Sequence, residues 1–411
     1  MHVYRIVWAS AYYISAYGPL VMLTKAAIVV SAVLTMVSEG YAQSRTWFVP
    51  AVSMSLSHDT NLFLTGNAGD TLAHVRPSFD AAYESPNREF HGFAAFEAQR
   101  SATYPALNML GEQRTALIDA RVNTSPRTIL GLSGRHDRTD SPSDLSLESG
   151  ILLGRQIATR TQVTPSASYR LKPRTTVTAL YSWTQESLSG YAEQSLHAAR
   201  AGMDYARSPR TQWGGRYVVR AFVGSLEQES SHTLLASWSH QLTPATNASV
   251  HVGPRFSSYS GPSSEVLATL LRRTPHQRFL VDYWHGETIV LGVPGPVGIH
   301  SGTARTSWLL RSDVEISTVI GVFQSLSLAD LRATVYHGGV GGAWTVREMY
   351  TLTASYRADY QRGDLRGQLP PDGHVTRGVV AVGVTIAPRL KRTFTPLQRD
   401  PALPMTGVQW P

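Results

Sequence analysis

The chain has 411 residues, of which 42% are hydrophobic and 16% charged, and its formal net charge is +8. Charged residues are scarcer than the roughly 25% of a typical soluble domain, which excludes a coiled coil or a disordered polyelectrolyte. Cysteine is absent, so disulfides, thiolate metal sites and cysteine nucleophiles are excluded. Nearly all positive charge is arginine, because Lys25, Lys172 and Lys391 are the only lysines. This basic balance favours an anionic partner such as nucleic acid, an acidic polymer or an anionic lipid.

The N-terminal segment has the pattern of a secretory signal. An uncharged run covers residues 26–38, Lys25 precedes it, and Ala42 ends a small-residue cleavage pattern. The run is too short to span a bilayer as a helix. We therefore expect residues 1–42 to be an N-terminal extension and signal peptide, with translation starting at Met22 and cleavage after Ala42. The alternative is a long uncleaved anchor.

From residue 45 onward, apolar and polar side chains alternate, as in β-strands with two different faces. In residues 75–83, Val75 and Phe79 share one face while Arg76 and Asp80 share the other. The same alternation recurs at 163–171, 177–183, 213–221, 248–256, 350–356 and 380–386. No sustained helical stripe interrupts it, so the sequence predicts an all-β protein.

Short turns of similar chemistry connect these strands in pairs, six of them with proline at the position where its fixed φ starts a turn. The predicted short turns are 85–88, 125–128, 172–175, 208–211, 243–246, 274–277, 311–313 and 346–348. The predicted longer connections are 58–70, 102–113, 138–159, 186–196, 224–231, 258–264, 287–302, 324–330 and 361–374. Short turns at one end and long loops at the other imply about eighteen strands, with sixteen as the alternative count.

This arrangement is typical of a transmembrane antiparallel up-and-down β-barrel. The face rich in Ala, Val, Leu, Tyr and Trp is predicted to contact lipid, because a soluble sandwich would have a polar exterior and an apolar interior. We expect the barrel to span residues 43–387 and a basic, Pro-rich tail to cover 388–411. The expected location is the outer membrane of a Gram-negative bacterium, with outer-membrane lipids as partners.

Two segments carry a resemblance to a known family. Residues 49–63 (VPAVSMSLSHDTNLF) resemble the first strand and Asp-x-Asn loop of proteobacterial porin-like barrels associated with exopolysaccharide and exosortase-type systems. The hairpin at 167–177 (ASYRLKPRTTV) fits the same resemblance, which covers residues 45–387. It implies an outer-membrane export channel for sugar polymers. Such an exporter would need a periplasmic export component to deliver the polymer. No catalytic residue is carried over.

The predicted inner face is rich in arginine, and arginines outnumber acids on the face that alternation assigns to the lumen. The candidate anion-facing residues are Arg76, Arg121, Arg170, Arg200, Arg216, Arg220, Arg255, Arg305 and Arg357. Guanidinium groups suit carboxylate and phosphate ligands, so we expect a channel for an anionic polysaccharide or another anionic solute. The alternative is that inward charges pair across strands into a rigid wall. The apolar segment 287–302 is either a mobile surface loop or an inward plug.

Catalytic patterns are weak. Ser57, His58 and Asp59 supply triad residue types, but neighbours on a strand point to opposite faces, and we expect His58 and Asp59 to begin the first loop. Tyr336-His337-Gly338-Gly339 resembles part of an oxyanion motif, yet no G-x-S-x-G elbow accompanies it. We expect no enzyme activity, cofactor, metal or nucleic-acid partner. A structural or adhesion barrel acting through long loops, and a barrel enzyme acting on lipid or lipopolysaccharide, are the alternative functions.

Overall fold

The computed structural model of the protein describes residues 44–64, 68–146, 148–224, 228–327, 331–365 and 373–388. The predicted signal segment, the start at Met22 and nearly all of the basic tail lie outside these residues. Two short 3₁₀ segments, Pro105–Leu107 and Pro142–Asp144, lie in long connections. No helix in the described ranges is long and apolar enough to cross a membrane.

Eighteen strands make up most of the described chain. They are β1 Arg45–Asp59, β2 Asp70–Ser85, β3 Arg88–Ser101, β4 Met109–Ser125, β5 Thr128–Thr139, β6 Ala158–Lys172, β7 Thr175–Leu188, β8 Gln194–Ala206, β9 Thr211–Val223, β10 Gln228–Thr243, β11 Thr246–Ser257, β12 Gly261–Arg273, β13 Gln277–Val290, β14 Val293–Arg311, β15 Val314–Leu326, β16 Arg332–Val346, β17 Tyr350–Gly363 and β18 His374–Ile386. Each strand pairs with the next along the chain, and β18 pairs antiparallel with β1. The sheet is thus a closed up-and-down barrel, which confirms the predicted fold and the count of eighteen.

All eight predicted short turns are present, and they lie at one end of the barrel, which we call the short-turn end. The opposite end is the long-loop end. Two predicted long loops are wrong. The segment 258–264 contains only a three-residue turn between β11 and β12, and 287–302 belongs almost entirely to β13 and β14. The β13–β14 turn is Leu291-Gly292, where Gly292 has a φ of +71° that disfavours a side chain.

The two faces of the strands differ as the alternation predicts. The outward face carries exposed apolar side chains, and Phe48 stacks on Phe79 with ring centroids 5.8 Å apart. Exposed outward residues include Met54, Leu56, Val75, Leu132, Tyr217, Val252, Ile320, Val340, Tyr356 and Val382. The inward face carries serine, threonine, arginine and acidic residues. A closed barrel with an apolar exterior and a polar interior is built to cross a lipid bilayer.

The seam between β1 and β18 closes the barrel. Residues 52–59 of β1 pair in register with residues 379–386 of β18. At the long-loop end of this seam, Asp59 accepts two hydrogen bonds from the guanidinium of Arg377, at 2.6 and 2.9 Å, and both side chains are buried. The Asn61 amide donates to the carbonyl of Thr376 at 3.0 Å. A buried ion pair therefore joins the first and last strands.

Candidate functional site: the barrel lumen

The lumen contains a cavity of about 920 Å³. Its lining comes from β1–β5 and β13–β18, together with the connection between β5 and β6. We call the cavity-lining parts of these strands the open wall. Small side chains make room there, because Gly339 and Gly341 on β16 face Val319 and Ser317 on β15.

Most charged groups of the open wall are paired. Arg377 pairs with Asp59, Arg155 with Asp140 at 2.6 Å, and Arg135 with Asp137 at 2.5 Å. Arg357, one of the predicted anion-facing residues, contacts Asp144 at 3.1 Å and Asp359 at 3.2 Å. His74 contacts Glu97 at 2.7 Å, and His337 contacts Asp359 at 2.5 Å. These contacts neutralise much of the wall and hold its side chains in place.

Three arginines of the open wall whose side chains point inward have no acidic partner within the described ranges. Arg76 on β2 reaches only the Thr115 hydroxyl, at 3.5 Å. Arg278 on β13 and Arg305 on β14 are exposed in the cavity. Within the described ranges, no carboxylate lies within 4.0 Å of any of these three guanidinium groups. Asp282, whose charge acts on Arg305, accepts a hydrogen bond from Thr269 instead. We call Arg76, Arg278 and Arg305 the open-wall arginines.

The inner face of β8–β12 is different, and we call it the packed wall. Arg200, Arg216, Arg220 and Arg255 are each at most 9% exposed. Arg220 reaches past β10 and β11 to Glu265 on β12, with two hydrogen bonds of 2.9 and 2.6 Å. The buried arginines therefore belong to the structure of the wall rather than to the surface of a channel.

Three buried acids, on β7, β12 and β13, lie beside inward arginines. Glu265 pairs with Arg220, and Glu287 lies 3.4 Å from Arg255. Glu186 of β7 lies 3.4 Å from Arg160. Residues 186 and 287 lie in segments predicted to be loops, and residue 265 was not predicted to face the lumen. In the structure these carboxylates are buried and offset inward arginines.

The packed wall is covered by the tip of the β13–β14 hairpin. Val290 accepts a hydrogen bond from the Gln194 side chain on β8 at 3.3 Å, and Ile289 packs with Leu196 and Phe222. The apolar sequence of this hairpin tip is thus explained by burial inside the barrel mouth. The alternative of an inward plug describes this segment better than a mobile surface loop does.

The connection between β5 and β6 also lies inside the barrel. Ile151, Leu152 and Leu153 are buried, and the Leu152 backbone N–H donates to the Gln361 side chain of β17 at 2.8 Å. Ile151 and Leu153 join the same apolar cluster as Val293 and Val297 of the hairpin tip. The long connection and the hairpin tip therefore narrow the lumen at the long-loop end.

The remaining predicted anion-facing residues lie toward the short-turn end. Arg121 of β4 is half-buried and lies opposite Glu89 of β3. Arg170 of β6 is exposed two residues before the strand ends. Both lie on the inward face by alternation. The structure divides the candidate arginines among the cavity, the packed wall and the short-turn end.

The residues of the triad-like pattern do not form a relay. The Ser57 hydroxyl contacts His74 at 3.0 Å, the exposed His58 contacts Thr71 at 3.1 Å, and Asp59 pairs with Arg377. His58 and Asp59 belong to β1, so the expectation that they begin a loop is wrong. Across the described part of the chain, no group of three or more His, Asp or Glu side chains is arranged to hold a metal ion.

Neither a family model nor a curated protein matches this chain. Solved structures with a similar course of the chain include Pseudomonas aeruginosa OpdL, with 13% identity, 84% of this chain and 99% of that chain covered, and a TM-score of 0.43. Another is Pseudomonas aeruginosa OccK2 (OpdF), with 13% identity, coverage of 83% and 98%, and a TM-score of 0.45. A third, described as a bacterial polysaccharide outer membrane secretin, has 13% identity, coverage of 83% and 99%, and a TM-score of 0.34.

The fold and the lumen together define the class of this protein. A closed barrel of eighteen antiparallel strands, with an apolar exterior, short turns at one end and long loops at the other, is an outer-membrane β-barrel. Its interior is polar and contains a cavity, as in barrels of the porin type. In such barrels the long loops are extracellular, so the hairpin tip and the β5–β6 connection lie at the extracellular mouth.

Proposed function

We propose that the barrel conducts anionic, carboxylate-bearing saccharides and that the open-wall arginines select them. The observation that supports this proposal is the set of Arg76, Arg278 and Arg305, which face one cavity without acidic partners. A guanidinium group binds a carboxylate through two parallel hydrogen bonds and keeps its charge at any physiological pH. The carboxylate of a solute that enters the cavity would pair with these arginines, as acidic side chains pair with other arginines elsewhere on the wall.

The remaining open wall suits a sugar. Ser57, Ser307, Ser317 and Ser355 line the same cavity and supply hydroxyl groups that can donate to or accept from sugar hydroxyls. A volume of about 920 Å³ lies in the upper part of the range of pockets for small ligands, about 300–1,000 Å³. The cavity is therefore sized for a short saccharide rather than for a folded macromolecule.

Export of an anionic exopolysaccharide is the more specific form of this proposal. A periplasmic component would deliver the polymer at the short-turn end, and the open-wall arginines would contact successive acidic sugars. The polymer would then have to displace the β5–β6 connection, which narrows the extracellular mouth. The same barrel without such a partner would admit free uronate-type sugars.

The test is ion selectivity in planar lipid bilayers. A variant with Arg76→Gln, Arg278→Gln and Arg305→Gln should lose most of the anion preference of the native channel, because the unpaired positive charge of the cavity is removed. The matched control is Arg127→Gln, Arg174→Gln and Arg210→Gln, which removes three exposed charges from the short-turn end. Equal selectivity in the native channel and the cavity variant would overturn the proposal.

The same recordings distinguish the two forms of the proposal. Block by oligogalacturonate at concentrations where glucuronate has no effect would support passage of a polymer. Block by oligogalacturonate and by glucuronate at similar concentrations of sugar units would support a channel for small sugars. Block that persists in the cavity variant would contradict a role for the three arginines.

A further inference from the structure

A pair of arginines lies on the outside of the barrel, near the extracellular mouth. Arg114 is near the start of β4, and Arg138 is the penultimate residue of β5. Their neighbours face the lumen: Gln113 donates to Asp140 at 2.9 Å, and Asp137 pairs with Arg135. Because side chains alternate along a strand, Arg114 and Arg138 point outward. Neither residue is among the arginines predicted from the sequence to face an anion.

The two guanidinium groups are on directly opposed residues. Arg114 and Arg138 are paired in the β4–β5 register, and like charges at opposed positions destabilise a sheet. The Nε atoms of both residues are shielded from solvent and have no hydrogen-bond acceptor within the described structure. In the same described ranges, neither guanidinium forms an ion pair, including with Glu112 nearby on β4. The charges of the two arginines are therefore not balanced by an acidic side chain within the described ranges.

The surroundings of the pair are polar on one side and apolar on the other. His136 faces outward beside it and contacts the Thr161 hydroxyl at 2.9 Å. Phe96, opposite Arg114 in the β3–β4 register, is 46% exposed, and Leu132 farther along β5 is 41% exposed. A charged pair at the rim above an apolar surface matches a molecule with an anionic headgroup and hydrocarbon chains.

We propose that Arg114 and Arg138, assisted by His136, form an exterior binding site for the phosphate group of an outer-leaflet lipid. A phosphate presents several oxygens and can accept hydrogen bonds from both guanidinium groups at once, which turns their repulsion into a shared attraction. The lipid chains would lie along Phe96 and Leu132. This inference concerns the exterior face and is independent of the solute that passes through the lumen.

The experiment measures thermal unfolding of the full barrel in two kinds of vesicle. One contains phosphatidylcholine with added diphosphoryl lipid A, and the other contains the same amount of dephosphorylated lipid A. The native protein should unfold a few degrees higher with the phosphorylated lipid, because ligands that bind the folded state raise the midpoint. The variant Arg114→Gln with Arg138→Gln should lose this shift.

Two controls keep the result interpretable. Arg127→Gln with Arg174→Gln removes the same charge at the short-turn end and should keep the full shift. In vesicles with dephosphorylated lipid, the Arg114→Gln, Arg138→Gln variant should be at least as stable as the native protein, because it has lost the like-charge repulsion. A gel shift on heating shows that each variant is folded before it is compared.

Three results would overturn the proposal. The first is an equal midpoint in both kinds of vesicle for the native protein. The second is an undiminished shift in the Arg114→Gln, Arg138→Gln variant. The third is a shift of the same size when inorganic phosphate is added to the vesicles with dephosphorylated lipid, which would identify a site for a soluble anion instead of a lipid.

Discussion

The packed wall and the open wall both carry arginines on the inner face of the barrel, but these arginines differ in burial and in their acidic partners. On the packed wall, the β13–β14 hairpin tip excludes water, and Arg220 is only 2% exposed beside a fully buried Glu265. On the open wall, Arg278 and Arg305 face a cavity, and no carboxylate of the described ranges lies within 4.0 Å of their guanidinium groups. An inward arginine that the hairpin tip covers therefore stabilises the wall. An inward arginine that borders the open cavity can contact a solute.

Among the substitutions that compare the two walls, Glu265→Gln should lower the free energy of unfolding the most. This change leaves the Arg220 charge buried without its partner, and breaking a buried pair in this way costs about 3–5 kcal/mol. Urea titration of the refolded barrel in vesicles, followed by tryptophan fluorescence, gives the free energy of unfolding. Arg76→Gln on the open wall should change that free energy by less than about 1 kcal/mol. Similar losses for both variants would show that the two walls do not differ.

A pair of glycine substitutions tests the same contrast through packing. A Cβ at Gly253 on β11 would overlap the carbonyl oxygen of Leu234, which is backbone and cannot move aside. A Cβ at Gly341 on β16 meets the Ser317 hydroxyl at 3.2 Å, which can rotate away. Gly253→Ala should therefore lower the free energy of unfolding by about 1–3 kcal/mol or more, and Gly341→Ala by much less.

The outcome is read from the same urea titrations, with the yield of folded barrel as a second measure. If Gly341→Ala lowered the free energy of unfolding as much as Gly253→Ala, the open wall would be as tightly packed as the packed wall.

The smallest effect should come from the contact that anchors the β5–β6 connection. Gln361→Leu keeps the size of the side chain but removes the acceptor for the Leu152 N–H and the donor to the Gly363 carbonyl, two hydrogen bonds worth about 1 kcal/mol each. The connection should then leave its inward position more often, and single-channel records should show more frequent openings with no change in ion selectivity. Gln185→Leu, on the outward face of β7, is the control. Unchanged gating in Gln361→Leu would mean that the connection does not restrict the lumen.

The sequence predicted the barrel well because strands and short turns have local signals. Alternation within β2 and the Pro-Arg-Thr turn at 173–175 need no knowledge of distant residues. The β13–β14 hairpin was missed because both of its faces are apolar near Leu291, so alternation disappears where the strand ends bend into the lumen. The alternation of apolar and polar residues shows which side chains share a face of a strand. It does not show which other segment of the chain packs against that face.

The pairing of inward charges was less predictable for a related reason. Arg220 and Glu265 are 45 residues apart in the chain and lie on strands separated by two others. Their contact depends on how the barrel staggers these strands, which no short segment encodes. The open-wall arginines differ from the paired arginines of the lumen because they have no acidic partner within the described ranges. This difference can be recognised only when the positions of all the side chains in the lumen are known.

The buried ion pair at the seam also has a consequence for how the protein forms. Asp59 and Arg377 are 318 residues apart in the chain, whereas neighbouring strands elsewhere are joined by a single turn or loop. Pairing of such distant segments is slow, because the entropy of closing so long a chain is lost before the contact is gained. Until that step, both residues are charged groups at open sheet edges in a lipid environment. Closure of the seam should therefore be the last and slowest event in assembly, and the ion pair marks the moment at which the edges disappear.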